Sequence, residues 1–187
     1  MSEAARVDRA ANLLGAVALR LSDGMAGEIT AAAGLGGRPG AETAAVALSA
    51  LHHFLDAPTI DRLRQVLGLT SSGAVRLVDR LQEAGLVQRR GGADGRTTTV
   101  VLTAEGRGAA ARVARARAQV LEDALAVLAP DERERFEALI GRIAVGLIRE
   151  PGASRWMCRL CDTGACGLRD RSCPVTRAAY ERFSRSD

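Results

Sequence analysis

The chain of 187 residues contains no lysine, few aromatic side chains and no long apolar run. Aromatic residues make up only 3% of it, so no aromatic-lined pocket for a small molecule can be recognised. No apolar run approaches the ~20 residues that a membrane-spanning helix needs. The stretch from Met1 to Arg9 is polar and charged, unlike a secretory signal. We therefore expect a cytoplasmic protein.

The groups that usually carry catalysis are also missing. We find no nucleophile with a plausible base, no phosphate-binding glycine loop and no paired-carboxylate cleft. The two histidines, His52 and His53, adjoin each other near the end of a predicted helix, with no cysteine nearby in sequence. Packing or a helix-end interaction is therefore favoured over a metal or effector role. We expect a protein that is not an enzyme.

The charge that is present is positive and comes from arginine alone. All 26 basic residues are arginine, and the formal net charge is +4. This balance fits a polyanionic partner but is weak support by itself. The 47% of hydrophobic residues indicates a soluble globular protein.

Residues 59–84 predict two short helices joined by a tight turn. Thr59 caps the first helix, Gly68 ends it, and Leu69 is expected to plug into the core. The second helix, from Gly73 to Ala84, is capped by one of three hydroxyl residues, Thr70, Ser71 or Ser72. Its apolar side is predicted to contain Ala74, Val75, Val78, Leu81 and Ala84, with Leu77 at the margin.

The other side of the second helix has the features of a DNA-reading surface. Arg76 and Arg80 lie one turn apart, where they can reach base edges or backbone in a major groove. The hydroxyl-rich start offers backbone N–H groups to a phosphate. A solvated helix face with two arginines is the simpler alternative, and the next twenty residues decide against it.

Those residues predict a β-hairpin instead of another helix. Leu86 to Arg89 and Thr97 to Leu102 read as strands, joined by the flexible, mostly basic tip 90–96. Arg90 lies at its start. Arg96 suits a narrow minor groove, and Asp94 can hold its guanidinium in place. Without the preceding helices, an ordinary surface turn would be the better interpretation.

This segment resembles the winged helix of the MarR-type (multiple antibiotic resistance) transcriptional regulators. The resemblance rests on LQEAGLV at 81–87, on Asp94 and Arg96, and on LTAEGR at 102–107. It implies a mainly α fold with a small β-wing and a dimer formed through the N- and C-terminal helices. Such regulators are most often repressors, and many bind a small-molecule effector. The candidate DNA-binding residues are Thr70, Ser71, Ser72, Arg76, Arg80, Arg90, Asp94 and Arg96.

The flanking sequence predicts helices that support this unit. An alanine-rich helix spans 2–22 and extends or restarts over 26–33, and a glycine-rich loop at 34–40 precedes a helix at 41–55. Two further helices span 104–128 and 130–149. These helices have more apolar surface than one winged domain covers, which favours a homodimer on a pseudo-palindromic operator over an intramolecular bundle.

We divide the chain into four parts. Residues 1–56 form supporting and dimerisation helices, and residues 57–107 form the winged helix-turn-helix. Residues 108–150 form C-terminal dimerisation helices, and residues 151–187 form a cysteine-rich extension.

The extension departs from the family pattern and holds every cysteine of the chain. Cys158, Cys161, Cys166 and Cys173 have the spacing C-x2-C-x4-C-x6-C. Four thiols within sixteen residues of an intracellular protein favour metal binding over disulfides. Gly164 and Gly167 let the loop fold back. Four arginines that would stabilise thiolates crowd the segment, namely Arg155, Arg159, Arg169 and Arg171.

Three states of this site are open. Zinc needs only the four thiolates, and it would then staple a tail too polar to make its own core. An iron–sulfur cluster fits the irregular spacing and the final Cys-Pro, and it would more plausibly sense redox state, oxygen or iron. A metal-free thiol switch is the third.

Three functions of different classes are compatible with these features. The favoured one is a dimeric DNA-binding regulator whose affinity changes with a ligand or with the cysteine site. A redox or metal-dependent enzyme on a winged-helix scaffold lacks visible catalytic groups. A protein-interaction module would show no sequence-selective DNA binding.

Overall fold

The computed structural model describes residues 8–91, 97–150, 156–168 and 170–183. It confirms a mainly α fold with a small two-stranded antiparallel sheet. In that part of the chain no helix is both long and apolar enough to cross a membrane. The helices are α1 Arg9–Ala32, α2 Ala41–His53, α3 Ile60–Leu67, α4 Ser71–Glu83, α5 Ala104–Leu125, α6 Pro130–Gly146 and α7 Pro174–Phe183. The strands are β1 Val87–Gly91 and β2 Thr98–Leu102.

The first helix is continuous where the sequence left a restart open. α1 runs through Gly24 without a break, and the carboxylate of Asp8 caps its start by accepting from the Ala10 N–H at 3.1 Å. A single glycine costs a helix only about 1 kcal/mol, and packing along α5 offsets this cost. The predicted start at residue 2 lies outside the described residues. α2, α5 and α6 each end two or three residues earlier than predicted.

Threonine caps fix the starts of three helices. The cap at Thr59 confirms the prediction, and at α4 the structure selects Thr70 among the three hydroxyl residues that the sequence left open. The hydroxyl oxygens of Thr59, Thr70 and Thr103 each accept a hydrogen bond from the N–H three residues later, at 3.1, 3.1 and 2.9 Å. Gly68 ends α3 with φ +64°, a backbone conformation that glycine adopts without strain. These local signals place α3 and α4 at a defined angle.

The core surrounds α2, which is buried from Ala44 to Leu51. Leu63 of α3, Leu81 of α4 and Val113 of α5 are fully buried in the same cluster. On α4 the prediction for two residues was wrong, because Leu77 is buried and Val75 is 43% exposed. Buried positions 74, 77, 78 and 81 follow the three- and four-residue spacing of one helix face, and position 75 lies off it.

The β-hairpin is tied to the helix-turn-helix at its base. Val87 pairs with Leu102 and Gly91 with Thr98, so the register is continuous along both strands. An isolated bridge joins Thr59 to Thr99 ahead of α3, and the Val100 N–H donates to the Pro58 carbonyl at 2.9 Å. These contacts attach the base of the wing to the start of α3.

The C-terminal extension shares a small second core with the end of α6. Ile148, Cys173 and Val175 are buried together, and α7 packs against α6. The tail does not form this core by itself, because Ile148 precedes it in the chain. The apolar residues of α7 are few, but they meet the exposed end of α6, which the sequence gave no reason to pair with them.

At the start of α5, the backbone of Gly106 lies directly against the backbone of Leu86. We predict that the stability of the fold depends on this close approach. A Cβ at Gly106 would overlap the carbonyl of Leu86. We expect Gly106→Ala to lower the free energy of unfolding by about 2 kcal/mol or more, because the strand or the helix must shift. Urea unfolding followed by circular dichroism measures it.

The matched control is Gly108→Ala in the same helix. There a Cβ would lie an ordinary 3.7 Å from Arg112 Nη1, so the higher helix propensity of alanine should raise stability by up to about 1 kcal/mol. Equal effects of the two substitutions would contradict the close approach at Gly106.

Candidate functional site

The start of α4 presents the predicted phosphate-facing groups at the surface. Thr70 is the cap, and its Oγ1 lies 3.5 Å from the Ser72 hydroxyl. Ser71 and Ser72 are exposed in the first turn, as is Arg76 one turn later. Arg76 makes no hydrogen bond or ion pair with any residue that the structure describes. This face is therefore open to a ligand.

Arg80 is placed differently from Arg76. Its guanidinium lies against the loop before α2, where a Cβ at Gly40 would be 2.8 Å from Nη2. Gly40 has φ +74°, so the loop can pass close beneath the arginine only because glycine stands there. Arg80 is exposed, and its contact with DNA stays a prediction.

The wing carries one described candidate. Arg90 is exposed on β1, where its carbonyl accepts from the Thr99 hydroxyl at 3.3 Å. The other two candidates, Asp94 and Arg96, lie outside the described residues. Arg90 and Arg76 project from the two elements that the family resemblance assigns to DNA.

Arg89 connects these two elements, and the sequence analysis missed it. Its guanidinium donates to the carboxylate of Asp79 and, at 2.9 Å, to the amide oxygen of Gln82, both on α4. A planar guanidinium that bonds two acceptors fixes relative orientation better than a single ion pair does. Arg89 thus holds the wing against the reading helix. In the sequence, Asp79 and Gln82 look like ordinary surface residues of a helix, so nothing there indicated that they bind Arg89.

Apolar side chains on α1 and α6 face outward in the single chain. On α6 and just after it, Leu139 is 55% exposed and Leu147 is 57% exposed, and none of the α6 residues is buried. The other large exposed side chains of these two helices are Leu13, Leu14, Val17, Leu19, Phe136, Ile140 and Ile143. Two such stripes form an apolar surface of the kind that protein interfaces cover.

Tight backbone turns gather the cysteines at the other end of the molecule. The Cys161 N–H donates to the Cys158 carbonyl at 2.8 Å, and the Cys173 N–H donates to the Gly167 carbonyl at 3.2 Å. Gly167 has φ +75°, which confirms that a glycine is needed where the loop folds back. The carboxylate of Asp162 accepts from the Gly164 N–H at 2.7 Å and closes the middle turn.

All four thiols line one cavity of about 190 Å³. The remaining lining residues are Phe54, Thr163, Leu168 and Thr176. Among the described residues, no three His, Cys, Asp or Glu side chains are arranged to hold a single metal ion. The four cysteines share one cavity without converging on one ion position.

The surroundings favour a thiolate at one of the four positions. The hydrogen bond between Cys158 and Cys161 raises the pKa of Cys158, with burial adding to the effect. The same bond lowers the pKa of Cys161 to about 6, and the charge of Arg117 on α5 contributes. Burial raises the pKa of Cys166. Cys161 is therefore the thiol that ionises most readily.

The cysteine loop is docked onto the helix-turn-helix. The buried hydroxyl of Thr163 donates to the carbonyl of His53 at the end of α2, at 3.1 Å, and His53 Nδ1 lies 3.8 Å from Asp162. The indole of Trp156 covers Gly68 in the turn between α3 and α4. The helix-end role favoured for His53 is thus present, and its partner comes from the cysteine loop.

The arginines that the sequence places around the cysteines do not all lie in similar surroundings. Arg159 stacks over Trp156, with its guanidinium carbon 3.7 Å from the ring centre. Arg171 is exposed, and Arg155 and Arg169 lie outside the described residues. Sequence reasoning missed Arg117, which stands some forty residues before the cysteines in the chain. Its Nε is buried without a hydrogen-bond acceptor in the described part of the chain.

The contact between Trp156 and Gly68 can be followed optically, because Trp156 is the one tryptophan of the chain. A Cβ at Gly68 would lie 2.7 Å from the indole Cζ3. We expect Gly68→Ala to displace the ring into water and to shift its fluorescence maximum to longer wavelength. Gly36→Ala, which adds a Cβ in open space, should leave the spectrum unchanged. An unshifted spectrum in the folded Gly68→Ala variant would contradict the contact.

Comparison with known proteins agrees with the geometry. Residues 39–97 match the model of the MarR family. No curated protein matches the chain. A MarR-family regulator from Silicibacter pomeroyi is similar with a TM-score of 0.53 and 25% identity over 76% of this chain and 92% of its own.

Two other solved structures share the architecture. A probable transcriptional regulator from Pseudomonas aeruginosa has a TM-score of 0.51 and 25% identity, covering 72% of this chain and 99% of its own. A MarR-family protein from Mycobacterium tuberculosis, solved with p-aminosalicylic acid, has a TM-score of 0.50 and 22% identity, covering 70% and 97%. The segment that carries most of the winged helix thus matches the MarR family, and the fold is similar to that of solved MarR-family transcriptional regulators.

Proposed function

We propose that the protein is a homodimeric repressor that binds a pseudo-palindromic operator, with a C-terminal four-cysteine metal centre that is structural or sensory. The observation that carries DNA binding is the open face at the start of α4. Ser71, Ser72 and Arg76 are exposed there on a capped helix. Arg89 fixes this helix to a strand that bears a second exposed arginine, Arg90.

The charges on this face suit a duplex. Backbone N–H groups in the first turn of α4 carry the positive end of the helix dipole and favour a phosphate. Arg76 lies one turn further along, where a helix in a major groove contacts base edges. A wing arginine beside it adds contact with the neighbouring backbone or minor groove.

The dimer follows from the outward-facing stripes of α1 and α6. No residue of α6 is buried in the single chain, where α7 covers only part of it, and a helix of seventeen residues is marginal by itself in water. A second copy covers both stripes by twofold symmetry. Two reading helices related in this way match a pseudo-palindromic site.

The metal centre rests on four thiols that line one cavity. Zinc, which holds a segment in place, and an iron–sulfur cluster, which also responds to its surroundings, are the two candidate occupants. Repression follows from an operator that overlaps a promoter.

The first test is selection of DNA sites from a random-sequence library, followed by footprinting and transcription from a promoter that carries the selected site. We expect a protected pseudo-palindrome and reduced transcription. A protein that enriches no sequence would instead support the interaction-module function.

Arginine substitutions separate specific contacts from general charge. We expect Arg76→Ala to weaken binding to the selected site by about 1–3 kcal/mol and to relax its preference at one base position. Arg96→Ala should weaken binding to all sequences and lower the salt slope by about one. Arg135→Ala on α6 removes the same charge outside the winged helix, and it should change affinity little in fluorescence anisotropy. Equal losses in Arg76→Ala and Arg135→Ala would remove Arg76 from the interface.

The dimer is tested on α6. Leu139→Glu places a charge on the exposed stripe, and we expect it to produce monomers in sedimentation velocity with loss of operator affinity. The control is Val75→Glu on α4, which adds the same charge at an exposed apolar residue outside the stripes. It should stay dimeric. A Leu139→Glu variant that remains a dimer would rule out this face.

A further inference from the structure

We propose that the cavity between the cysteine loop and the end of α2 holds an iron–sulfur cluster, and that this cluster strengthens DNA binding by fixing the helix-turn-helix. The inference deepens the proposed function and rests on it for the DNA-binding part. The cofactor part stands on the cavity itself.

The size of the cavity favours a cluster over a single ion. A zinc ion at about 2.3 Å from each of four sulfurs draws them to about 3.8 Å from one another and leaves no space between them. Here the four cysteines line a space of about 190 Å³. A cluster of iron and sulfide ions is a body of several atoms, and cysteine thiolates ligate it from its outside.

The walls of the cavity suit an inorganic cluster. Phe54 and Leu168 give it apolar sides, and Thr176 brings a hydroxyl group beside the thiols. Apolar surroundings and hydrogen bonds to sulfur are the means by which proteins stabilise such centres. No carboxylate lines this cavity, so nothing among its lining residues repels the negative charge of a thiolate-ligated cluster.

A buried arginine supplies positive charge nearby. Arg117 on α5 acts electrostatically on Cys161, and its Nε is buried with no acceptor among the described residues. A buried donor without a partner costs free energy. Arg117 does not line the cavity, and from its place on α5 its charge would offset part of the negative charge of a thiolate-ligated cluster. One residue of α5 is thereby linked to the cofactor.

Two contacts connect the cavity to the DNA-reading unit. Thr163 lines the cavity and donates to the last carbonyl of α2, the helix around which the core is built. Trp156, two residues before the first ligand, covers Gly68 in the turn that sets the angle between α3 and α4. A bound cluster would hold the cysteine loop in the conformation that makes both contacts. Without the cluster, the loop would lose this restraint and both contacts would weaken.

The cofactor is tested on protein purified without oxygen, by iron, zinc and acid-labile sulfide analysis with a visible absorption spectrum. We expect iron and sulfide in equal amounts and a brown colour, restored to cluster-free protein by ferric iron, sulfide and a thiol reductant. Cys166→Ser should abolish all three signals. One zinc per chain without sulfide, or no metal at all, would overturn the proposal.

The coupling is tested by fluorescence anisotropy on a duplex selected by the protein, with loaded and cluster-free forms side by side. We expect the loaded form to bind roughly 5- to 150-fold more tightly, the range of ordinary coupling between two sites. Trp156→Ala, which changes no residue that lines the cavity, should retain iron and sulfide but lower this ratio. Tyr180→Ala removes an exposed aromatic from the same extension, and it should keep the full ratio.

The outcomes separate the two proposals. Selective binding of equal strength by both forms would overturn the coupling and leave the proposed function in place. Absence of selective binding in either form would overturn the proposed function and the coupling together, while the iron and sulfide contents would still decide the cofactor.

Discussion

The rest of the structure depends on the burial of α2 on all its sides. Residues Ala44 to Leu51 of this helix are buried, and most of them are alanine or another small residue. Small side chains let α1, α3, α4 and α5 approach one axis closely, and a helix that is apolar all round is stable only when enclosed. Any group that acts on the end of α2 therefore acts on the middle of the domain.

The position of α2 explains how the cysteine loop can influence the reading helix α4. The loop meets α2 at its carboxyl end, where the last carbonyl groups have no partner inside the helix. Thr163 satisfies one of them. Leu160 of the same loop packs against the main core, so the extension is continuous with the domain and is not an appended tail.

The sequence was sufficient for the parts of the fold that depend on near neighbours. Caps at Thr59, Thr70 and Thr103, the turn at Gly68 and the hairpin all come from interactions within a few residues. The prediction placed Val75 on the buried face of α4 and Leu77 at its margin, whereas the structure shows the reverse. Helical spacing alone did not determine where that face ends. The bond between Thr163 and His53 joins residues 110 positions apart, and no local pattern contains it.

The candidate site divides in the same way. The cysteine spacing predicted that four thiols come together, because short turns bring them there. Phe54 and Arg117 could not be found, since each stands far from the cysteines in sequence and has an ordinary place in its own helix. The contact of Arg89 with Asp79 and Gln82 could not be predicted for a related reason. The path of the hairpin determines which face of α4 this arginine contacts.

The bare α6 helix has a consequence for the stability of the whole protein. Its side chains are not buried within one chain, and in the proposed homodimer a second molecule covers them. Folding and association would then be one equilibrium governed by mass action. The midpoint of thermal unfolding would rise with total protein concentration, and dilution would loosen the C-terminal part of the chain, including the cysteine loop that packs on it.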